Sequence, residues 1–270
     1  IKDGEEVTVD CSADHGVVFK GSLKFKVIEH DVKKVPQGKT HIMMNIATPD
    51  TAFEKSFLPN KGVGLAREEF IIVSEIGIHP MALVNFDNLP EKLKSDISKR
   101  TIGYSDKKKF YIDKLSYGIA KISAAFHPSP VIVRFSDFKT NEYRSLLGGD
   151  LYEPKEENPM IGWRGASRYY SPDFAPAFLL EIEAIKKVVD EMGLTNTAVM
   201  VPFCRTPEEG RKVVKIIRDN GLKDIKIFVM CEIPANVLLA DEFLNIFDGM
   251  SIGSYDLTQL SLGSDRDGDD

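Results

Sequence analysis

From residue 41 onward, short apolar runs alternate with longer amphipathic stretches. The runs are Ile42–Ile46, Gly62–Leu65, Val131–Phe135, Met160–Trp163, Ala198–Phe203, Ile225–Cys231 and Met250–Ile252. Short apolar runs bounded by turn residues read as buried strands. The intervening helices are clearest late in the chain. Phe178, Leu179, Ile182, Ile185, Val188, Val189 and Met192 recur on one helical face, and Gly193 ends that helix. Thr206, Pro207 and Glu209 supply an N-cap, a first-turn proline and a capping box for the next helix. Its apolar face is Val213, Val214, Ile216 and Ile217, and Gly221 stops it. A third helix is predicted over Ala235–Phe247, and Lys107–Lys109 form one exposed helix turn.

Repeated strand–helix units predict a parallel sheet with helices outside it. A (β/α)₈ TIM barrel typically takes about 250 residues. The seven strand candidates leave such a barrel one unit short. The alternative is an open doubly wound sheet. No G-x-G-x-x-G follows an early strand, so a dinucleotide site is not supported.

Residues 1–28 read differently. Val7, Val9 and Cys11 alternate with Thr8 and Asp10, Ala13–Gly16 turns the chain, and Val17–Phe19 and then Leu23, Phe25 and Val27 follow. This is a β-hairpin pattern, too small for an independent domain. Residues 29–40 read as a linker and 41–270 as the barrel. The chain opens in the middle of a strand-like pattern, without a Met or a signal peptide, as a fragment or processed chain would.

Apolar residues make up 43% and charged residues 28%, an ordinary globular composition. A net charge of −6 weighs against a nucleic-acid partner. No stretch is long and apolar enough for a membrane span. Cys11, Cys204 and Cys231 form neither a zinc spacing nor a disulfide framework, so reduced thiols and a cytoplasmic location are expected. The five histidines share no spacing and are expected to be structural or exposed.

Candidate chemistry lies just after the apolar runs, where an α/β barrel places its active site. Arg67, Arg134, Arg164 and Arg205 follow the earlier runs, whereas Glu232 and Asp256 follow the last two. Arginine forks hold phosphate and carboxylate, and two carboxylates on neighbouring strands suit Mg²⁺ completed by substrate oxygens and water. A lone arginine here is more often a salt-bridge partner or a solvated residue, and Asp256 could be a helix cap; only their convergence lifts them above that reading. Cys204 and Cys231 read as small buried hydrophobes.

Five segments are also familiar as motifs. They are Lys61–Phe70 (KGVGLAREEF), Val133–Tyr143 (VRFSDFKTNEY), Glu157–Tyr169 (ENPMIGWRGASRY), Met230–Pro234 (MCEIP) and Ser251–Leu260 (SIGSYDLTQL). In order and spacing they resemble the phosphoenolpyruvate (PEP)-utilising enzymes. The RFSDFKTNEY form resembles the synthase branch rather than pyruvate phosphate dikinase or enzyme I of the sugar phosphotransferase system. The resemblance implies a PEP/pyruvate-binding TIM barrel that lacks its last strand, preceded by the tail of a swivelling phosphohistidine domain. It implies conversion of ATP, pyruvate and water to AMP, PEP and phosphate in the full enzyme, in gluconeogenesis, with ATP bound by domains outside these residues. Arg67 and Arg134 would bind the phosphoryl group and substrate oxygens, and Glu232 and Asp256 would hold Mg²⁺. Gly253, Ser254 and Tyr255 would contact substrate, with Arg164 and Arg266 as further anion contacts. The phosphohistidine and the proton-donating cysteine match nothing in the chain, so these residues alone are expected not to make PEP. A homo-oligomer is expected. One departure stands out: Tyr255 occupies the place of a family asparagine. It raises a second reading, a catalytically impaired assembly or regulatory homologue. A third is a barrel of other chemistry that uses these acids structurally.

Overall fold

A computed structural model describes residues 1–12, 15–29, 31 and 38–265. The chain divides into two compact units, Ile1–Gln37 and Gly38–Asp270. In the first, β1 (Val7–Asp10) and β2 (Val17–Lys20) form an antiparallel hairpin with Val7 opposite Lys20. Thr8 Oγ1 locks its open end, donating to Gly21 O at 2.8 Å and accepting from Leu23 N–H at 2.9 Å. Leu23–Val27 does not continue as a strand. The linker expected over 29–40 lies mostly outside the described residues.

The second unit is an α/β fold around a curled parallel sheet of six strands. In spatial and chain order they are β3 (Met44–Ile46), β4 (Val63–Arg67), β5 (Val131–Arg134), β6 (Thr197–Val201), β7 (Ile227–Cys231) and β8 (Gly249–Ile252). Each strand pairs with its predecessor, so every strand's C-terminal end opens on the same side. Every residue of β6 is buried, as a strand with both faces covered must be, whereas β8 at the edge has none buried.

One predicted strand is absent. Met160–Trp163 forms a 3₁₀ turn over Pro159–Ile161 and then a bend. Pro159 supplies no N–H to a sheet ladder, and the Trp163 N–H donates to the Glu156 carboxylate at 2.9 Å instead of to a strand. The helix predicted over Ala235–Phe247 is likewise broken, into Pro234–Leu238 and Ala240–Leu244 around a non-helical Leu239. The Pro207–Asp219 helix forms as read: Thr206 Oγ1 accepts from Glu209 N–H at 3.2 Å, while the Glu209 carboxylate reaches back to Arg205 N–H at 2.7 Å.

The core lies where the helices Lys107–Phe126 and Ala175–Lys186 pack on the sheet and on each other. Asp106 caps the longer one by accepting from Lys108 and Lys109 N–H. Phe110, Leu115, Ile119, Ile122 and Phe126 form its buried stripe. Two polar clusters interrupt this core. In the first, Arg168 is fully buried and forks onto Glu153 at 2.7 and 2.6 Å, with its Nε donating to Trp163 O. His79 Nδ1 accepts from Met81 N–H, so its Nε2 carries the proton that meets Glu153 at 3.0 Å. Burial favours this neutral imidazole. The cluster pins the 149–170 segment against the domain. Arg168→Met should cost about 3–5 kcal/mol by stranding a buried carboxylate. Urea unfolding checks this, and an unchanged midpoint would contradict the pairing.

The second cluster is acidic. Ser136 donates to Glu181 through its hydroxyl at 2.5 Å and its N–H at 3.2 Å, and its Oγ accepts from Tyr143 at 2.7 Å. Glu68 is buried beside Glu181 with no donor to either oxygen. As two anions the pair has no shared proton; protonating one creates the missing hydrogen bond. Burial, then mutual repulsion, raises Glu68, and burial pushes Glu181 up to about 7. The folded state therefore binds protons more tightly than the unfolded chain. The resulting stabilisation is complete below the ordinary value of 4.5 and is lost as pH rises through about 7. Stability should fall between these values, and Glu181→Gln should flatten that slope, as denaturant titrations across the range would show.

Candidate functional site

The side chains that matter sit at the C-terminal ends of β4 to β8. Arg67 and Arg134 end β4 and β5 as direct register partners, so two guanidinium-bearing residues stand side by side. Arg67 is exposed, its guanidinium 5.8 Å from the Phe70 ring centre. Arg134 is mostly buried. It meets Glu69 at 3.0 Å and Asp137 at 3.5 Å, while its buried Nε has no acceptor.

Arg164 lies on the loop after the 3₁₀ turn. It forks onto Asp137, with Nε to Oδ1 at 3.0 Å and Nη2 to Oδ2 at 2.6 Å. Its third nitrogen reaches Met160 O at 3.2 Å and Asp256 Oδ1 at 3.4 Å. Every nitrogen of Arg164 therefore already has an acceptor. The side chain predicted as an anion contact instead holds two acids in place.

Glu232 follows β7 and is 1% exposed. Phe203 N–H donates to its Oε1 at 2.6 Å. Burial, then repulsion from Asp137, pushes Glu232 up to about 7; Arg134 opposes this and Asp256 adds to it. Glu232 thus senses Arg134, Asp137 and Asp256, which brings residues from the ends of β5, β7 and β8 into one mouth. By contrast, burial of Asp137 is outweighed by Arg164 and Arg134, which hold it below the usual carboxylate range. Asp256 is buried in the first turn of the Ser254–Leu262 helix, beside the positive helix end.

Gly253 joins β8 to that helix, its N–H donating to Cys231 O at 3.0 Å. A Cβ there would lie 2.8 Å from both Cβ and Oε2 of Glu232, so glycine is what lets β8 approach the carboxylate. Ser254 is exposed, and Tyr255 is 73% exposed. Arg266 lies outside the described residues. Cys204 and Cys231 are buried and free, as read from the sequence. The residues sequence reasoning passed over as site members are Asp137, Glu69 and Phe203. Asp137 was visible after its strand, but nothing local announces that it takes two arginines. The Glu69 carboxylate accepts Asp137 N–H at 2.5 Å, a tertiary contact without a sequence signal.

The PEP-binding domain of the PEP-utilising enzymes matches residues 24–270. The chain belongs to this family. It is 56% identical over 99% of its length to phosphoenolpyruvate synthase of Synechocystis, covering 34% of that protein. It is 55% identical over 99% to the Pseudomonas aeruginosa synthase and 51% over 99% to that of Escherichia coli, covering 34% of each. The chain thus spans about a third of the length of these relatives. Among the described residues, no helix is long and apolar enough to cross a membrane.

The tight fork between Arg164 and Asp137 makes a local prediction. Asp137→Asn should leave Arg164 free to swing, lowering stability by about 1–3 kcal/mol. It should also lower the pKa of Glu232 by removing its strongest charged repeller. Thermal melts and a carboxyl NMR titration would check both, and an unmoved Glu232 would mean that the two acids do not share the mouth.

Proposed function

We propose that the chain is the PEP/pyruvate-binding part of a phosphoenolpyruvate synthase, a pyruvate, water dikinase working in cytoplasmic gluconeogenesis. The observation that carries this reading is the mouth itself: Arg67 and Arg134 paired in register on one side, Glu232 and Asp256 on the other. The identity to synthases along the chain supports it. The curl and strict order of the sheet suit six strands of a (β/α)₈ barrel. Ile252, 73% exposed in the edge strand β8, offers apolar surface for a closing strand to cover. ATP use through other domains of the full protein, and assembly into homo-oligomers, belong to the same reading.

The donor set fits Mg²⁺. Among the described residues no cluster of three or more acidic, His or Cys side chains would hold a metal alone. Two carboxylates are what Mg²⁺ takes when substrate oxygens and water complete its shell. Glu232 is also the acid least compensated by the arginines, so a divalent cation would supply the missing counter-charge. Bound there, Mg²⁺ would act as a Lewis acid toward the keto oxygen of pyruvate.

The chain's own residues do the rest. Arg134 is fixed by Glu69 and Asp137, so its remaining donors are aimed before substrate arrives. Arg67, less constrained, closes on the anionic oxygens of the incoming group. Together they orient the phosphoryl donor and neutralise charge, which is most of what phosphoryl transfer requires of a protein. Arg164 keeps Asp137 and Asp256 from drifting apart. The small residues Gly253 and Ser254 leave room at the mouth.

The impaired-homologue reading rests on Tyr255 filling the site. Its ring stands 73% exposed, so that ground is weak. The 56% and 51% identities to synthases also disfavour a barrel of unrelated chemistry.

In the full-length protein, Glu232→Gln should weaken Mg²⁺-dependent oxalate binding about tenfold or more, by the loss of one hard charged ligand. Glu183→Gln, on an exposed helix face where Glu183 pairs with Lys186, should not. Calorimetric titration decides between them, and equal effects would place the site elsewhere.

A further inference from the structure

Phe203 is the one described non-glycine residue with a left-handed backbone, at φ 44°. For a bulky side chain this conformation is strained and persists only where its surroundings enforce it. A glycine would adopt it freely. The phenyl group must therefore do something that a turn alone does not need.

Its surroundings show what. The ring is 2% exposed and lies between two guanidinium groups, Arg164 at 4.1 Å and Arg205 at 4.8 Å from its centre. Arg205 is itself tied to the 161–167 loop, through Gly162 O at 2.5 Å and Ser167 Oγ at 3.2 Å. That loop presses on Phe203 closely: a Cβ on Gly165 would lie 2.6 Å from Phe203 Cβ and from Pro202 O. Meanwhile the left-handed turn aims the Phe203 N–H at Glu232 Oε1, at 2.6 Å. One residue thus bears on both acids, on one of them through an arginine. It holds Glu232 directly, by its backbone, and Asp256 through the arginine seated on its ring.

We propose that Phe203 is a positioning residue that sets the separation and orientation of Glu232 and Asp256, and with it the site's preference for a small divalent cation. With Oε1 engaged by the N–H, Glu232 presents its other oxygen, beside Gly253. One oxygen from each acid would suit Mg²⁺, which takes one or two carboxylates and leaves the rest of its shell to substrate and water. The larger Ca²⁺ tolerates looser and bidentate arrangements. This rests on the reading that Glu232 and Asp256 are the metal ligands.

The test is metal selectivity in the full-length protein. Mg²⁺ and Ca²⁺ are titrated calorimetrically at saturating oxalate into the wild type, Phe203→Leu, Phe203→Tyr, Arg205→Gln and Glu232→Gln. Phe203→Leu keeps the core filled and the N–H in place but removes the π face beneath Arg164. Mg²⁺ affinity should fall about tenfold and Ca²⁺ affinity less than about threefold, consistent with loss of a desolvated cation–π contact and a loosened octahedron. Phe203→Tyr should restore the wild-type ratio. Arg205→Gln should shift the ratio in the same direction by a smaller factor; it keeps the proposal testable should Phe203→Leu not fold. A merely structural role would lower both affinities alike, and that result, or an unchanged ratio in the folded variants, overturns the proposal. If Glu232→Gln also leaves Mg²⁺ binding intact, the metal site itself is misplaced. If it abolishes binding while the Phe203 and Arg205 variants keep the wild-type ratio, only the role of Phe203 falls.

Discussion

The ion-pair chain Arg134–Asp137–Arg164 is the contact on which the mouth depends. Three charges at the end of β5 and on the following loop are mostly buried, and each is tolerable only because the next one is there. Asp137 is held ionised by two arginines. Those arginines are thereby immobilised, one facing the anion side of the mouth and one bracing Asp256. Glu69 closes the chain from β4 by taking both Arg134 and the Asp137 backbone. Removing any member strips a buried neighbour of one of its charge partners.

Around this chain, rigidity is built from the outside inward. The Glu153–Arg168–His79 cluster anchors the segment that carries Arg164. Ser136, gripped by Glu181 and Tyr143, anchors the loop between Arg134 and Asp137. Fixing charged groups before the substrate arrives means that no reorganisation is needed when charge moves. What remains uncompensated is Glu232, with its raised pKa. Within the mouth, this electrostatic deficit lies where a cation belongs.

Much of this was legible in the sequence, for physical reasons. Strands β4 to β7 are short apolar runs because they lie inside the sheet under its helices, and polar residues at the strand ends fall on one side because all strands run parallel. That is why position along the chain brings Arg67, Arg134, Glu232 and Asp256 to one side of the sheet. Met160–Trp163 misled because an apolar run cannot by itself tell a strand from a turn, and the preceding Pro159 and the Glu156 side chain decided the outcome. Arg164 takes Asp137 because a fork that suits a substrate anion suits a carboxylate side chain equally well. The direction of Tyr255, the strain at Phe203 and the burial of Glu68 beside Glu181 depend on tertiary contacts between distant segments, which leave no local pattern.

The most direct measurement is a crystal structure of the full-length protein grown with Mn²⁺, standing in for Mg²⁺, and oxalate. An anomalous difference map locates the metal without reference to any assumed chemistry. One peak should lie within bonding distance of a carboxylate oxygen of both Glu232 and Asp256, with oxalate completing its shell and facing Arg134. A peak bound elsewhere, or a well-ordered mouth with no peak between those two carboxylates, would contradict the assignment.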